Sequence, residues 1–116
     1  MKIRTHKYAE LAYPLVDAIQ GDAIEAKYRT LALTFPSMIM QSGLAQAIGF
    51  LMAKNKDEHK VLLGHIAILL NKNDASVLHQ AILKSSVTEY QLLSREALDA
   101  SAWLKRYTQA LLEKQS

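Results

Sequence analysis

The sequence predicts an all-α protein. Helix formers dominate its 116 positions, and no run of β-branched residues alternates in the manner of a strand. Four glycines and two prolines punctuate the chain at wide intervals. Half of the residues are hydrophobic and 22% are charged, the balance of a globular domain rather than a disordered one. This length supports one core, so residues 1–116 are expected to form a single compact bundle of about six helices, the C-terminal one long.

The first helix is expected over residues 5–20, disturbed by Pro14 and ended by Gly21. Asp22 suits the N-cap of a second helix running through Leu33. Pro36 disfavours helical backbone at Phe35 and suits the first turn of a new helix. The segment "PSMIMQSGLAQAIGFLMAKN" therefore reads as a separate or sharply bent helix. "KNKDEHK" reads as a solvated turn into "EHKVLLGHIAILLNK", and Asn73 or Asp74 caps "ASVLHQAILK". "SSVTEYQLL" forms a short helical segment, after which Ser94 opens the last and longest helix, "REALDASAWLKRYTQALLEK".

No Asp, Glu, Lys or Arg occurs between Arg29 and Lys54. Such a stretch has three readings: a membrane span, a helix buried in the bundle, or a surface shared with another protein. Thr30, Thr34, Ser37, Gln41, Ser42 and Gln46 interrupt it, and Pro36 breaks it, which argues against a span. Met38, Ile39, Met40, Leu44, Ile48, Phe50, Leu51 and Met52 point around the whole helix, so it is expected to be buried on all sides at the centre of the bundle. Surplus apolar surface there would be covered by protein, and Gly43 is small enough to admit a close neighbour.

In the last helix, Ala97, Ala100, Trp103, Leu104, Tyr107, Ala110 and Leu111 fall on one arc, which makes Trp103 a core anchor. Lys105 and Arg106 lie off that arc and have no acidic residue three or four positions away; Lys27 is similarly unpaired. Arg29 has Glu25, and Arg95 has Asp99, at helical spacing. Unpaired cations on a helix either are solvated or meet phosphates. The net charge of +3 admits an anionic partner without requiring one. Lys2, Arg4, His6 and Lys7 make a basic start that is either an arm onto nucleic acid or a frayed terminus.

No catalytic constellation is visible. His6, His59, His65 and His79 lack metal-ligand spacing, and no glycine-rich phosphate loop occurs. His65 and His79 read as partly buried polar residues within apolar helices. Neither a metal nor a cofactor is expected. With no cysteine and no signal-type apolar segment at the start, a cytoplasmic location is expected.

Two segments carry a resemblance. Residues 27–54, "KYRTLALTFPSMIMQSGL…IGFLMAK", and residues 90–112, "YQLLSREALDASAWLKRYTQALL", resemble the hallmarks of the small all-helical subunit of type III-B (Cmr) CRISPR effector complexes. The resemblance implies a non-catalytic RNA-binding subunit of antiviral defence. Several copies would stack beside the backbone ribonuclease subunits and, with the large subunit, hold guide RNA and target RNA. It points to Lys27, Arg29, Lys54, Lys105 and Arg106 as RNA-binding positions. Pro36, Ile39, Gly43, Leu44, Phe50, Trp103, Leu104 and Tyr107 are expected to serve fold and packing. Gln41 stands where the family pattern tends to be polar or basic. The rival readings are a stand-alone helical nucleic-acid binder, which would need a polar recognition helix after a tight turn, and a small helical enzyme.

Overall fold

The computed structural model describes residues 4–112, with side chains from residue 7 onward. Among these, six α-helices follow one another: α1 Arg4–Asp17, α2 Glu25–Ser42, α3 Leu44–Lys54, α4 Asp57–Leu69, α5 Ala75–Lys84 and α6 Val87–Leu111. The radius of gyration is 13.4 Å, close to the roughly 13 Å of a compact globule of about this length. The buried apolar side chains form one core cluster.

Several local expectations change. Asp22 does not cap α2; its Oδ1 accepts from the Ile24 N–H at 3.1 Å, within the turn that precedes the helix. α2 also runs straight through Pro36 and stops at Gly43 instead. Tyr28, Leu31, Ala32, Phe35 and Ile39 form one buried stripe spanning the proline. An interior proline costs ~3 kcal/mol, whereas each large side chain kept buried contributes ~1.5–3 kcal/mol. Phe35 and Ile39 together offset the local penalty.

The actual break, Gly43, has φ 87° and ψ 158°, a backbone region essentially reserved for glycine. It closes α2 through its N–H to the Ile39 carbonyl and opens α3 through its carbonyl to the Ala47 N–H. The Tyr90 hydroxyl accepts from the Ala45 N–H at 3.0 Å, supplying from α6 the cap that Gly43 has no side chain to give. Redirected there, α3 buries Leu44, Ala47, Ile48 and Leu51.

The charge-free stretch is thus two helices, each buried on one side. Met40 is 73% exposed and Met52 40%, so neither is covered within this chain. The central element is α4, which touches all the other helices. It buries Glu58, His59, Leu62, Leu63, His65, Ile66, Ala67 and Leu69. Glu58 and His59, expected in a solvated turn, lie inside because the apolar spacing of α4 extends back to them.

A further change is in α6, which is unbroken over 25 residues. Ser86 and Glu89 form a reciprocal capping box: the Ser86 Oγ accepts from the Glu89 N–H at 3.2 Å, and the Glu89 carboxylate accepts from the Ser86 N–H at 2.8 Å. That backbone bond, with the side-chain bond, holds the Glu89 carboxyl below its usual range. Ser94 sits mid-helix, since neither Gly nor Pro interrupts residues 87–111. At α5 the expectation of a local cap is met by Asp74, whose carboxylate accepts from the Val77 N–H at 2.9 Å.

α6 packs on α1, α2 and α4. Its buried face is Leu93, Ala97, Ala100, Ser101, Leu104 and Thr108. Trp103, Tyr107 and Leu111 are only half-buried and Ala110 is exposed, so the core arc is rotated from the expected one. The Gln20 side chain donates to the Leu111 carbonyl at 2.7 Å, tying the turn after α1 to the end of α6.

Across the α2–α4 contact, the Tyr28 hydroxyl lies 2.7 Å from His65 Nδ1 in the core. Burial holds the imidazole down at about 4 and pushes the phenol well above its ordinary range. His65 is therefore neutral at pH 7, and its tautomer sets which of the two groups donates.

Two expected outcomes follow from this packing. Gly43→Ala should lose ~1–3 kcal/mol in urea denaturation through backbone strain. In contrast, Gly49→Ala and Gly64→Ala, where a Cβ meets nothing within 4 Å, should gain ~0.5–1 kcal/mol. For His65, the unfolded chain binds the proton near 6.5 and the folded one near 4. Stability from this group is full above pH 6.5 and falls as pH drops toward 4, by ~3 kcal/mol in total. Stability measured against pH should show this extra loss in the native chain and lack it in His65→Gln.

Candidate nucleic-acid interface

The five candidate cations lie on three helices. Lys27 is exposed in the first turn of α2 and walls a groove between α2 and α4. Ala26, Thr30, Leu31, Thr34, Glu58 and His59 complete that groove, whose volume is about 410 Å³. Its two threonines turn their hydroxyl protons to their own helix: Thr30 to the Ala26 carbonyl at 3.2 Å, Thr34 to the Leu31 carbonyl at 3.2 Å. Their oxygen lone pairs remain able to accept.

Lys54, the last residue of α3, is exposed, with its ammonium 5.8 Å from the centre of the Phe50 ring. Phe50 in turn meets His59 edge-on at 5.6 Å. Lys54 is thereby linked through two rings to the groove that Lys27 borders. His59 is a residue that spacing rules for metals passed over. Its Nδ1 is 3.3 Å from Glu58 Oε2, yet the geometry falls short of a hydrogen bond and leaves the buried nitrogen without a partner among the described residues. The available signal was its register with Leu62, Leu63 and Ile66, which places it on the inner face of α4.

Arg29 stands apart from the other cations. It is half-buried, and its Nε is enclosed with no hydrogen-bond partner among the described residues. Glu25, expected beside it, accepts from the Gly21 N–H at 3.1 Å through Oε1. Lys2 lies outside the described residues, as do the side chains of Arg4 and His6, while Lys7 is exposed on α1.

On α6, Lys105 is half-buried and Arg106 exposed. The Arg106 guanidinium carbon is 5.8 Å from the centre of the Trp103 ring, within cation–π range. Ala102, Trp103 and Arg106 border a hollow of about 350 Å³. Of the positions expected to pack, Ile39, Leu44 and Leu104 are buried, Gly43 is the α2–α3 junction, and Pro36, Phe50, Trp103 and Tyr107 are half-buried. Gln41 is exposed.

This surface can offer cations, ring faces and hydroxyl acceptors. Among the described residues no group of three or more His, Asp or Glu is placed to hold a metal ion. No helix among them is long and apolar enough to cross a membrane.

Comparison with known proteins accounts for nearly the whole chain. The sequence model of the CRISPR-associated protein family Cas_Cmr5 matches residues 4–111. The protein named CRISPR system Cmr subunit Cmr5 of Thermus thermophilus is 36% identical over 114 residues, spanning 97% of this chain and 99% of that protein. The crystal structure of a CRISPR-associated Cmr5 family protein from Thermus thermophilus superposes with a TM-score of 0.93 at 34% identity, covering 97% of this chain and 100% of that one. With sequence and fold matched end to end, the chain belongs to the CRISPR-associated Cmr5 family.

Proposed function

We propose that this chain, acting as a single helical domain, is a non-catalytic small subunit of a type III-B Cmr effector complex. In this reading several copies stack along the guide RNA–target RNA duplex, beside the backbone ribonuclease subunits and the large subunit, in the cytoplasm. The observation that carries it is the near full-length match to a relative named as a subunit of the Cmr system. The copies would support assembly and the binding of target RNA in antiviral defence.

The chemistry of the surface supports this division of labour. Base pairing supplies sequence specificity, so the protein needs only to meet the shape and backbone of an A-form duplex. Lys105 and Arg106 sit on a 25-residue helix that fixes their spacing. Lys27 borders the α2–α4 groove, and Lys54 joins it through Phe50 and His59, as a second group. Arg29, with its enclosed Nε, contributes less as a phosphate contact than as a charge. A net charge of +3 per copy is modest, and stacking multiplies it along one duplex.

Purification from the native host should recover the chain in a large ribonucleoprotein containing short guide RNAs. Tight, sequence-selective DNA binding by the free protein in place of that particle would sink the reading. Within the assembled complex, Lys105→Ala with Arg106→Ala should leave the helical circular dichroism unchanged and weaken duplex binding. The slope of log K against log salt should fall by about one for each phosphate that is no longer neutralised. An unchanged slope would remove these two residues from the interface.

A further inference from the structure

Trp103 is half-buried: it packs against the core from the edge of α6 and leaves part of the indole at the surface. Tyr13 of α1, 48% exposed, stands edge-on to Tyr107 at 5.4 Å. Tyr107 lies 5.7 Å from Trp103 with the ring planes tilted by 33°. Arg106 reaches the same indole at 5.8 Å. Positions 106 and 107 each lie about one helical turn beyond 103, so α6 holds guanidinium and phenol on the side of the indole. Contact with Tyr13 braces the row from α1.

We propose that Trp103 and Arg106 form a stacking site for one unpaired nucleobase, taken between the indole and the guanidinium plane. The 5.8 Å separation is near the outer edge of the cation–π range of about 6 Å, and Arg106 is exposed and free to swing aside. Ala102, small and exposed, leaves the indole approachable from its side of the hollow. A space of about 350 Å³ is at the small end of the range for ligand sites, about 300–1,000 Å³, and suits a single base. Any base has a π-face to offer, so the site would be tolerant of sequence. The guanidinium can stack through its plane while its N–H edge meets a phosphate, a combination that lysine lacks.

This site rests on the reading that nucleic acid passes along α6 at Lys105 and Arg106, and adds to it a base contact beyond the duplex backbone. Trp, Tyr and Arg also anchor protein contacts. Here the exposed positions of α6 beside the indole, Ala102, Arg106, Gln109 and Ala110, are small or polar, a poor match to the apolar centre of a protein contact.

Trp103 is the one tryptophan of the sequence, so its fluorescence reports the site directly. The full chain is titrated at low salt, to about 1 mM nucleotide, with single-stranded oligoadenylate, an abasic strand of equal length, and a blunt RNA duplex. Oligoadenylate should quench the indole and the abasic strand should not. Arg106→Lys, which keeps the charge, should weaken the base-dependent quenching about tenfold. Equal quenching by the abasic strand, no quenching over the whole range, or an Arg106→Lys chain that titrates like the native one would each overturn the site. So would absent quenching together with failure of Arg106→Lys and Trp103→Leu to enter the assembled complex, which would make the patch a protein contact. A chain that shows base-dependent quenching but never joins a guide-RNA particle would keep this site and sink the proposed function instead.

Discussion

Enclosing α4 among the other five helices is the constraint to which the rest of the fold answers. A helix so placed must satisfy whatever polar groups it turns inward, and α4 buries Glu58, His59 and His65. His65 is met by Tyr28 of α2 across a 2.7 Å hydrogen bond, which fixes the separation and register of the two helices. An imidazole without that partner would leave a buried nitrogen unpaired, at ~1–3 kcal/mol. His59 shows the opposite case: its Nδ1 faces Glu58 without a completed bond, at the end of the groove that the α2–α4 crossing creates. The arrangement that secures the core therefore also shapes the surface beside Lys27.

The remaining helices follow from redirecting the chain around α4. Gly43 turns α3 back so that Leu44, Ala47, Ile48 and Leu51 reach the core. Tyr90 holds that turn from α6 by accepting the Ala45 N–H. α6 then crosses α1, α2 and α4 as one rigid rod, started by the Ser86–Glu89 box. Its length gives the protein one continuous helical face on which charged and aromatic side chains keep helical spacings. Such a face fits recognition of a regular, repeating polyanion better than a mobile loop would.

The surface divides its groups by environment. Arg106 and Lys27 project into solvent, whereas Arg29 is drawn partly inside and Lys105 lies half against the protein. Cations of equal formal charge thus differ in what they can reach. Met40 and Met52 likewise remain outward on an otherwise core-forming stretch. The aromatic row from Tyr13 to Trp103 gives the Arg106 end of α6 a character distinct from the Lys27–Lys54 side.

By itself, the sequence determined the helical class, the approximate number of helices, a cap at Asn73 or Asp74 and the family, because these rest on local propensity, breaker placement and side-chain pattern. The capping box was equally local: Ser86 and Glu89 have the required spacing. Tertiary structure decided the rest. Pro36 is absorbed into α2 and Gly43 becomes the break, because burial of Phe35 and Ile39 outweighs a local preference while φ 87° has no substitute for glycine. α4 took the centre from the longer charge-free stretch, since a helix can be apolar around its circumference and still have neighbours on one side only. The rotation of α6 that lifts Trp103 toward the surface places Ser101 and Thr108 on the buried face instead. Periodicity ranks the faces of a helix by polarity, but only the neighbours determine which of two adjacent faces is covered.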